Sequence, residues 1–196
     1  MYCNGYAETV PAQHETLLSG IMPADVSTTW PNREWLSREL RIRIAIVADA
    51  EKLVQLINAA FVVERVAFDG DRVDLKNVRA LMSKGKFLIA DLSGLRELAG
   101  CVYVEAGSQR CYLGLLCVAP SLQGKGLARQ LAEAAEEFAR NVGCHAMDLR
   151  IISPRADSLL PVYKHLGYSE NGTLPFPAEV TTKVPCHYVL MAKTLL

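Results

Sequence analysis

The residues best placed to do chemistry lie between Leu115 and Ala128. There an apolar run ends at Leu116, Cys117 and Val118, Ala119-Pro120-Ser121 turns the chain, and Gln123, Gly124, Lys125 and Gly126 lead into an amphipathic pattern from Leu127. A strand therefore passes through a glycine loop into a helix. The first amides of a helix have no internal partners and carry about half a positive charge, so this junction suits a phosphate or pyrophosphate. Gly124 and Gly126 let the main chain approach such a ligand, and Lys125 adds charge. The spacing excludes two phosphate loops, because neither the Gly-Lys-Ser/Thr of a nucleoside-triphosphate loop nor the G-x-G-x-x-G of a dinucleotide loop is present.

Cysteine chemistry is the next candidate. Cys3, Cys101, Cys111, Cys117, Cys144 and Cys186 form no C-x-x-C pair and no Cys/His cluster with zinc-ligand spacing, so no metal is expected and the thiols read as reduced and mostly buried. Cys117 could be imagined as an acyl acceptor. With no histidine or carboxylate in an identifiable activating relation to it, a small strand residue is the better reading.

The elements that must position the glycine loop follow from periodicity. Arg41–Val47 alternates as a half-buried strand; Asp49 caps a helix bearing Leu53, Leu56, Ile57 and Phe61; Asp74 caps a second with Leu75, Val78 and Leu81, stopped at Gly85. Lys86–Asp91, Ala99–Glu105 and Arg110–Val118 form an antiparallel meander. The helix from Leu127 buries Leu131, Ala134, Ala135 and Phe138, with Gln130, Glu133, Glu136, Glu137 and Arg140 on its wet side. The strand His145–Ile152 then requires parallel pairing with the strand before the loop. A helix started near Ser158 puts Pro161 in its first turn; a strand from Tyr168, a loop over Gly172–Pro185 and a last strand Cys186–Lys193 complete the chain. Residues 1–40, with Trp30 and Trp35 and a short helix over Arg33–Glu39, read as an irregular extension docked on one domain, 41–196.

Composition narrows the function. A chain of 196 residues suits one domain, and its formal net charge of zero argues against nucleic acid as a partner. No apolar run is long enough for a membrane span and no signal-peptide pattern opens the chain, so the expected compartment is the cytoplasm.

Gln123-x-x-Gly126-x-Ala128, behind Leu116-Cys117-Val118-Ala119-Pro120, resembles the R/Q-x-x-G-x-G/A signature of the GNAT superfamily of acetyl-coenzyme A-dependent N-acetyltransferases. A second segment, Leu159-Leu160-Pro161-Val162-Tyr163-Lys164-His165-Leu166-Gly167-Tyr168, is similar to the family's F-Y-x-x-L-G-F/Y. The resemblance implies an α/β (α+β) fold with a mixed, mostly antiparallel sheet of about seven strands and about four helices. It implies acetyl-coenzyme A as co-substrate, in a cleft where the strand ending at Val118 splays from the strand starting at His145. Leu116, Cys117 and Val118 would flank the pantetheine, and Gln123, Gly124, Lys125, Gly126, Leu127 and Ala128 would hold the pyrophosphate. Tyr163 matches the family's general acid and would also touch the coenzyme.

The base is left open. Where several members carry a glutamate, this chain has Tyr112, which leaves Glu105, Glu64 and His187 as candidates. The leading expectation is acetyl transfer to a primary amine of a small molecule or peptide, with a homodimer allowed. The alternatives are a coenzyme A-binding regulatory domain without catalysis and, less favoured, a nucleotide sensor.

Overall fold

The structure is a computed structural model that describes residues 40–195, so the expected extension and its helix at 33–39 lie outside the described residues. In chain order the elements are β1 (Leu40–Ile44), α1 (Ala50–Ala60), α2 (Leu75–Lys84), β2 (Lys86–Leu92), β3 (Gly100–Ala106), β4 (Arg110–Val118), α3 (Leu127–Asn141), β5 (Ala146–Ile152), α4 (Ala156–His165), β6 (Ser169–Pro175) and β7 (His187–Thr194). The strands form one sheet in the order β1-β2-β3-β4-β5-β7-β6. Every pairing is antiparallel except β4 with β5, which the intervening α3 forces to be parallel.

Strand alternation sorts the core into two layers. Phe87, Ile89, Cys101 and Tyr103 face α1 and α2, where Leu53, Leu56, Ile57 and Val78 cover them. Leu88, Val102, Val104 and Leu113 face the opposite way, onto Leu127, Leu131, Ala135 and Phe138 of α3. Burying each such leucine, isoleucine or phenylalanine contributes about 1.5–3 kcal/mol of transfer free energy. The sheet is therefore clamped between helices on both faces.

Local chemistry sets several boundaries. Asp74 caps α2 as its type predicts, accepting from Asn77 N at 2.7 Å while the Asn77 side chain accepts from Asp74 N at 3.2 Å. Asp49 precedes α1 but does not cap it with its side chain. It accepts instead from Ile46 N at 2.8 Å and from the Arg43 guanidinium at 2.8 and 3.0 Å, and that arginine holds its carboxyl below the usual carboxylate range. Glu136, expected on the wet side of α3, is buried and receives Lys193 Nζ of β7 at 2.7 Å on both carboxylate oxygens. The same ammonium donates to Leu166 O at 2.8 Å, which ties the end of α4 to the last layer of the sheet.

Two other boundaries also move. Because α4 starts at Ala156, Pro161 stands inside it and not in its first turn. Its missing N–H is tolerated because Asp157 and Pro161 are exposed, so the carbonyl it would have served can turn to water. β6 starts at Ser169 and runs on through Gly172–Pro175, which pattern alone assigns to a loop, with a register shift between Glu170 and Thr173.

Candidate active site

The site begins as an irregularity in β4. Cys117 pairs with Cys101 and Gly114 with Tyr103, so three steps on β4 oppose two on β3, and the extra residue bulges. Leu115 takes the strain with φ of 47°, the one described non-glycine residue with positive φ. Gly114 is required beside it by space, since a Cβ there would stand 2.8 Å from the Tyr112 ring. On its other edge β4 pairs with β5 only from Arg110↔Ala146 to Leu113↔Leu149. Beyond Leu113 the two parallel strands part.

A cleft of about 770 Å³ fills the opening. One wall is main chain: Leu115 to Val118, then the glycine loop and the start of α3. Gly124 and Gly126 have φ of 75° and 85°, and no side chain caps the helix that Gly126 begins. A Cβ on Gly124 would meet nothing within 4 Å, so backbone conformation, not crowding, selects glycine there. Gln123 braces the loop, its Nε2 donating to Val118 O at 3.3 Å. Unshared β4 edge followed by an open helix start fits a long acyl carrier with amide groups along its arm and phosphates at its end. Gln123, Gly124, Gly126, Leu127 and Ala128 line the cleft along with Leu116, Cys117 and Val118, whereas Lys125 is not among the lining residues.

The other wall is side chains. Tyr163 of α4 is half-buried against Tyr168, ring centroids 5.9 Å apart in a T-shaped contact, and faces the cleft. Burial, and behind it the nearness of Cys117 and Glu64, pushes its phenol up to about 12. The proton on that oxygen is held firmly at neutral pH. Glu64 sits in the 3₁₀ turn Phe61–Val66 after α1, buried, with Arg72 Nε 3.3 Å from its Oε2. Burial raises its carboxyl above the ordinary range against the opposing pull of Arg72 and Arg155. A carboxylate lifted toward neutrality inside a cleft is what a general base needs.

The remaining sequence candidates lie elsewhere. Glu105 does not line the cleft; its carboxylate accepts from Tyr103 Oη at 2.7 Å. His187 is exposed at the start of β7 and is also absent from the lining, its main-chain N donating to Ser153 Oγ at 3.1 Å. Cys117 is buried, its Sγ 3.5 Å from Cys101 Sγ, as a packed strand thiol would be. Sequence reasoning missed Arg150 and Arg155, which line the cleft as Arg72 does. For Arg150 a signal existed: period-two alternation across Met147, Leu149 and Ile151 leaves Asp148 and Arg150 on the opposite face of β5. Among the described residues, no grouping of His, Cys, Asp and Glu could hold a metal ion, and no helix is long and apolar enough to cross a membrane.

Parted parallel strands, a bulge at their fork and a glycine-opened helix thus meet in a single cleft. The model of the acetyltransferase (GNAT) family matches residues 50–168, more than half of the chain, and the chain belongs to that family, whose co-substrate is acetyl-coenzyme A. Among solved structures it is similar to a ribosomal-protein-alanine N-acetyltransferase from Brucella melitensis, with 23% identity, 79% of this chain and 99% of that one covered and a TM-score of 0.63. A putative acetyltransferase from Salmonella typhimurium with its cofactor acetyl-CoA shows 22% identity, coverage of 81% and 95% and a TM-score of 0.63. Ard1 from Thermoplasma volcanium shows 15% identity, coverage of 81% and 99% and a TM-score of 0.66. These likenesses are of fold. No curated protein matches the chain.

Proposed function

We propose that the protein acetylates a primary amine, with Glu64 as base and Tyr163 as acid lining one cleft. The observation that carries this reading is the pairing of two groups with opposite proton duties in a single cavity: a carboxyl lifted by burial and a phenol whose proton is retained. When bound, acetyl-coenzyme A supplies the acetyl thioester.

The residues divide the work as their environments dictate. Glu64 takes the proton an ammonium acceptor must lose before its nitrogen can attack, directly or through a water. The β4 main chain at Leu115–Leu116, turned by the bulge, offers an N–H toward charge that develops on a carbonyl oxygen. Tyr163 Oη donates a proton to a departing sulfur. Gln123, Gly124, Gly126, Leu127 and Ala128 hold the phosphates through main-chain amides and the helix dipole. Leu116, Cys117 and Val118 align the carrier's arm as a further strand would. Fixing both reactants in one cavity provides much of the rate by proximity.

The test is release of free thiol from acetyl-coenzyme A in the presence of a panel of amines, against a blank for hydrolysis. Amine-dependent thiol release is expected. Thermal protection by coenzyme A with no turnover of any amine would instead indicate a binding domain without catalysis.

A further inference from the structure

Glu64 does not stand on a strand or a long helix. It lies in the 3₁₀ turn Phe61–Val66, and its carbonyl accepts from Ala67 N at 2.9 Å and from Phe68 N at 3.1 Å. The chain is pinned again only at Val73, whose N–H and C=O both bond the Asn58 side chain of α1, at 3.0 and 2.9 Å. Irregular segments fix a side chain less closely than regular elements do, so a carboxyl held to one geometry in such a turn needs an outside brace.

The brace comes from the far end of the chain. Residues 176–186 join β6 to β7, and Lys183 of that loop grips the Glu64 segment at three places. Its main-chain N donates to Ala67 O at 2.9 Å, its Nζ donates to Arg65 O at 3.0 Å, and the same ammonium pairs with Asp69 Oδ1 at 2.6 Å. An exposed ion pair by itself contributes little. Here, however, two of the bonds go to main-chain carbonyls on either side of Val66, so they tie the backbone of the turn. Phe176 adds an apolar hold, its ring centroid 5.3 Å from that of Phe68 and 4.6 Å from that of Tyr188 in β7. Ala67 and Phe68, which the loop grips, are the same two residues that bond the Glu64 carbonyl. None of residues 176–186 lines the cleft, so the loop acts from behind.

Resting on the reading of Glu64 as base, we propose that Lys183 is a positioning residue for the reaction: with Phe176 beside it, it locks the turn that carries Glu64 and keeps that carboxyl buried in the cleft wall. The charges that pull the Glu64 carboxyl down are those of Arg72, before α2, and Arg155, before α4; Glu64 acts in turn on Tyr163 of α4 and on Cys186 at the end of the loop. Lys183 therefore works through the backbone and not through its field at the carboxyl. Releasing the turn admits water to Glu64 and removes part of the burial that raises it.

The test reads position and chemistry separately, in the full chain. Position is read from the carboxyl titration of Glu64 by carbon NMR, assigned by its loss in Glu64→Gln. Lys183→Met, which keeps the stem and removes both side-chain bonds, should move the midpoint down toward the ordinary glutamate value of about 4.3, and Lys183→Arg should restore it. Phe176→Leu is a second, independent way to loosen the turn and should move the midpoint in the same direction. Chemistry is read from thiol release with acetyl-coenzyme A and the amine panel. There Lys183→Met should lower kcat/KM about 2- to 10-fold, the range of one hydrogen bond, and start the rising limb at lower pH. In a Glu64→Gln background the same substitution should cost nothing further. A midpoint unmoved in both Lys183→Met and Phe176→Leu, or an equal loss of rate with and without Glu64, would overturn the proposal. A midpoint that moves while turnover does not would leave the brace standing and remove Glu64 as base. Loss of the limb in Glu64→Gln with midpoint and rate unchanged in Lys183→Met would do the reverse.

Discussion

The two ends of the cleft are built from different material. At the end we assign to the coenzyme the lining is main chain, namely the β4 edge past Leu113, the bulge at Leu115 and the start of a helix opened by Gly126. At the other end the lining is ionisable side chains from four places in the chain: Glu64 and Arg72, Tyr112, Arg150 with Arg155, and Tyr163. Main-chain recognition tolerates change in most side chains as long as glycines keep the path open. Side-chain recognition depends on each group's surroundings, so the same residue types reassorted in the same cleft would select another acceptor.

The sharpest test of that division is Tyr163→Phe, which removes one oxygen from the side-chain wall and leaves the main-chain wall intact. We expect kcat to fall about 10²- to 10⁴-fold with coenzyme affinity unchanged, checked by steady-state kinetics beside a coenzyme titration. Stability should fall by no more than a hydrogen bond's worth, about 0.5–1.5 kcal/mol. Near-normal kcat with a substrate whose chemical step is rate-limiting would return Tyr163 to the core.

Gly126→Asp makes the opposite cut. A carboxylate would occupy the anion position at the helix start, so the stabilisation coenzyme A gives the wild type, about 2.7 kcal/mol at a hundredfold excess over its Kd, should vanish from thermal melts. Retained protection would dissociate the glycine loop from the phosphates.

Glu64→Gln should cost about 10- to 100-fold in kcat/KM at neutral pH, and less at alkaline pH, where the amine arrives already neutral. In the wild type the rising limb of the pH profile should lie above the ordinary glutamate range of about 4.3, because burial raises the carboxyl, and the substitution should remove that limb. The sign for stability follows from the same shift. A folded-state pKa above the unfolded one means the native state binds the proton more tightly, so Glu64 lowers stability as pH rises between the two values. The glutamine variant should lose that slope in urea melts run across mildly acidic pH.

The smallest effect belongs to Glu105→Gln. The side chain lies outside the cleft and serves Tyr103, whose hydroxyl can donate to the amide oxygen as well, so turnover should stay within about twofold of wild type. A large loss there would move the base to β3.

Much was readable from order along the chain, for local physical reasons. Strand alternation, the Asp74 cap, the glycine loop before Leu127 and the necessity of a parallel β4-β5 pair across α3 are properties of neighbours within a few residues or of one crossover. That is why the glycine loop and the helix it opens were visible before the structure. Other features needed the tertiary structure. Glu136 looks solvent-facing by helical period, yet it is buried because β7 inserts between β5 and β6 and brings Lys193 to it. Glu64 and Glu105 are equal as letters in a sequence. What separates them is that the chain folds the turn after α1 over the fork and buries one carboxyl beside Arg72, while the other is turned to Tyr103. Charge near charge, at separations in sequence from 8 residues between Glu64 and Arg72 to 91 between Glu64 and Arg155, is a matter of distance through space, and only packing sets that distance.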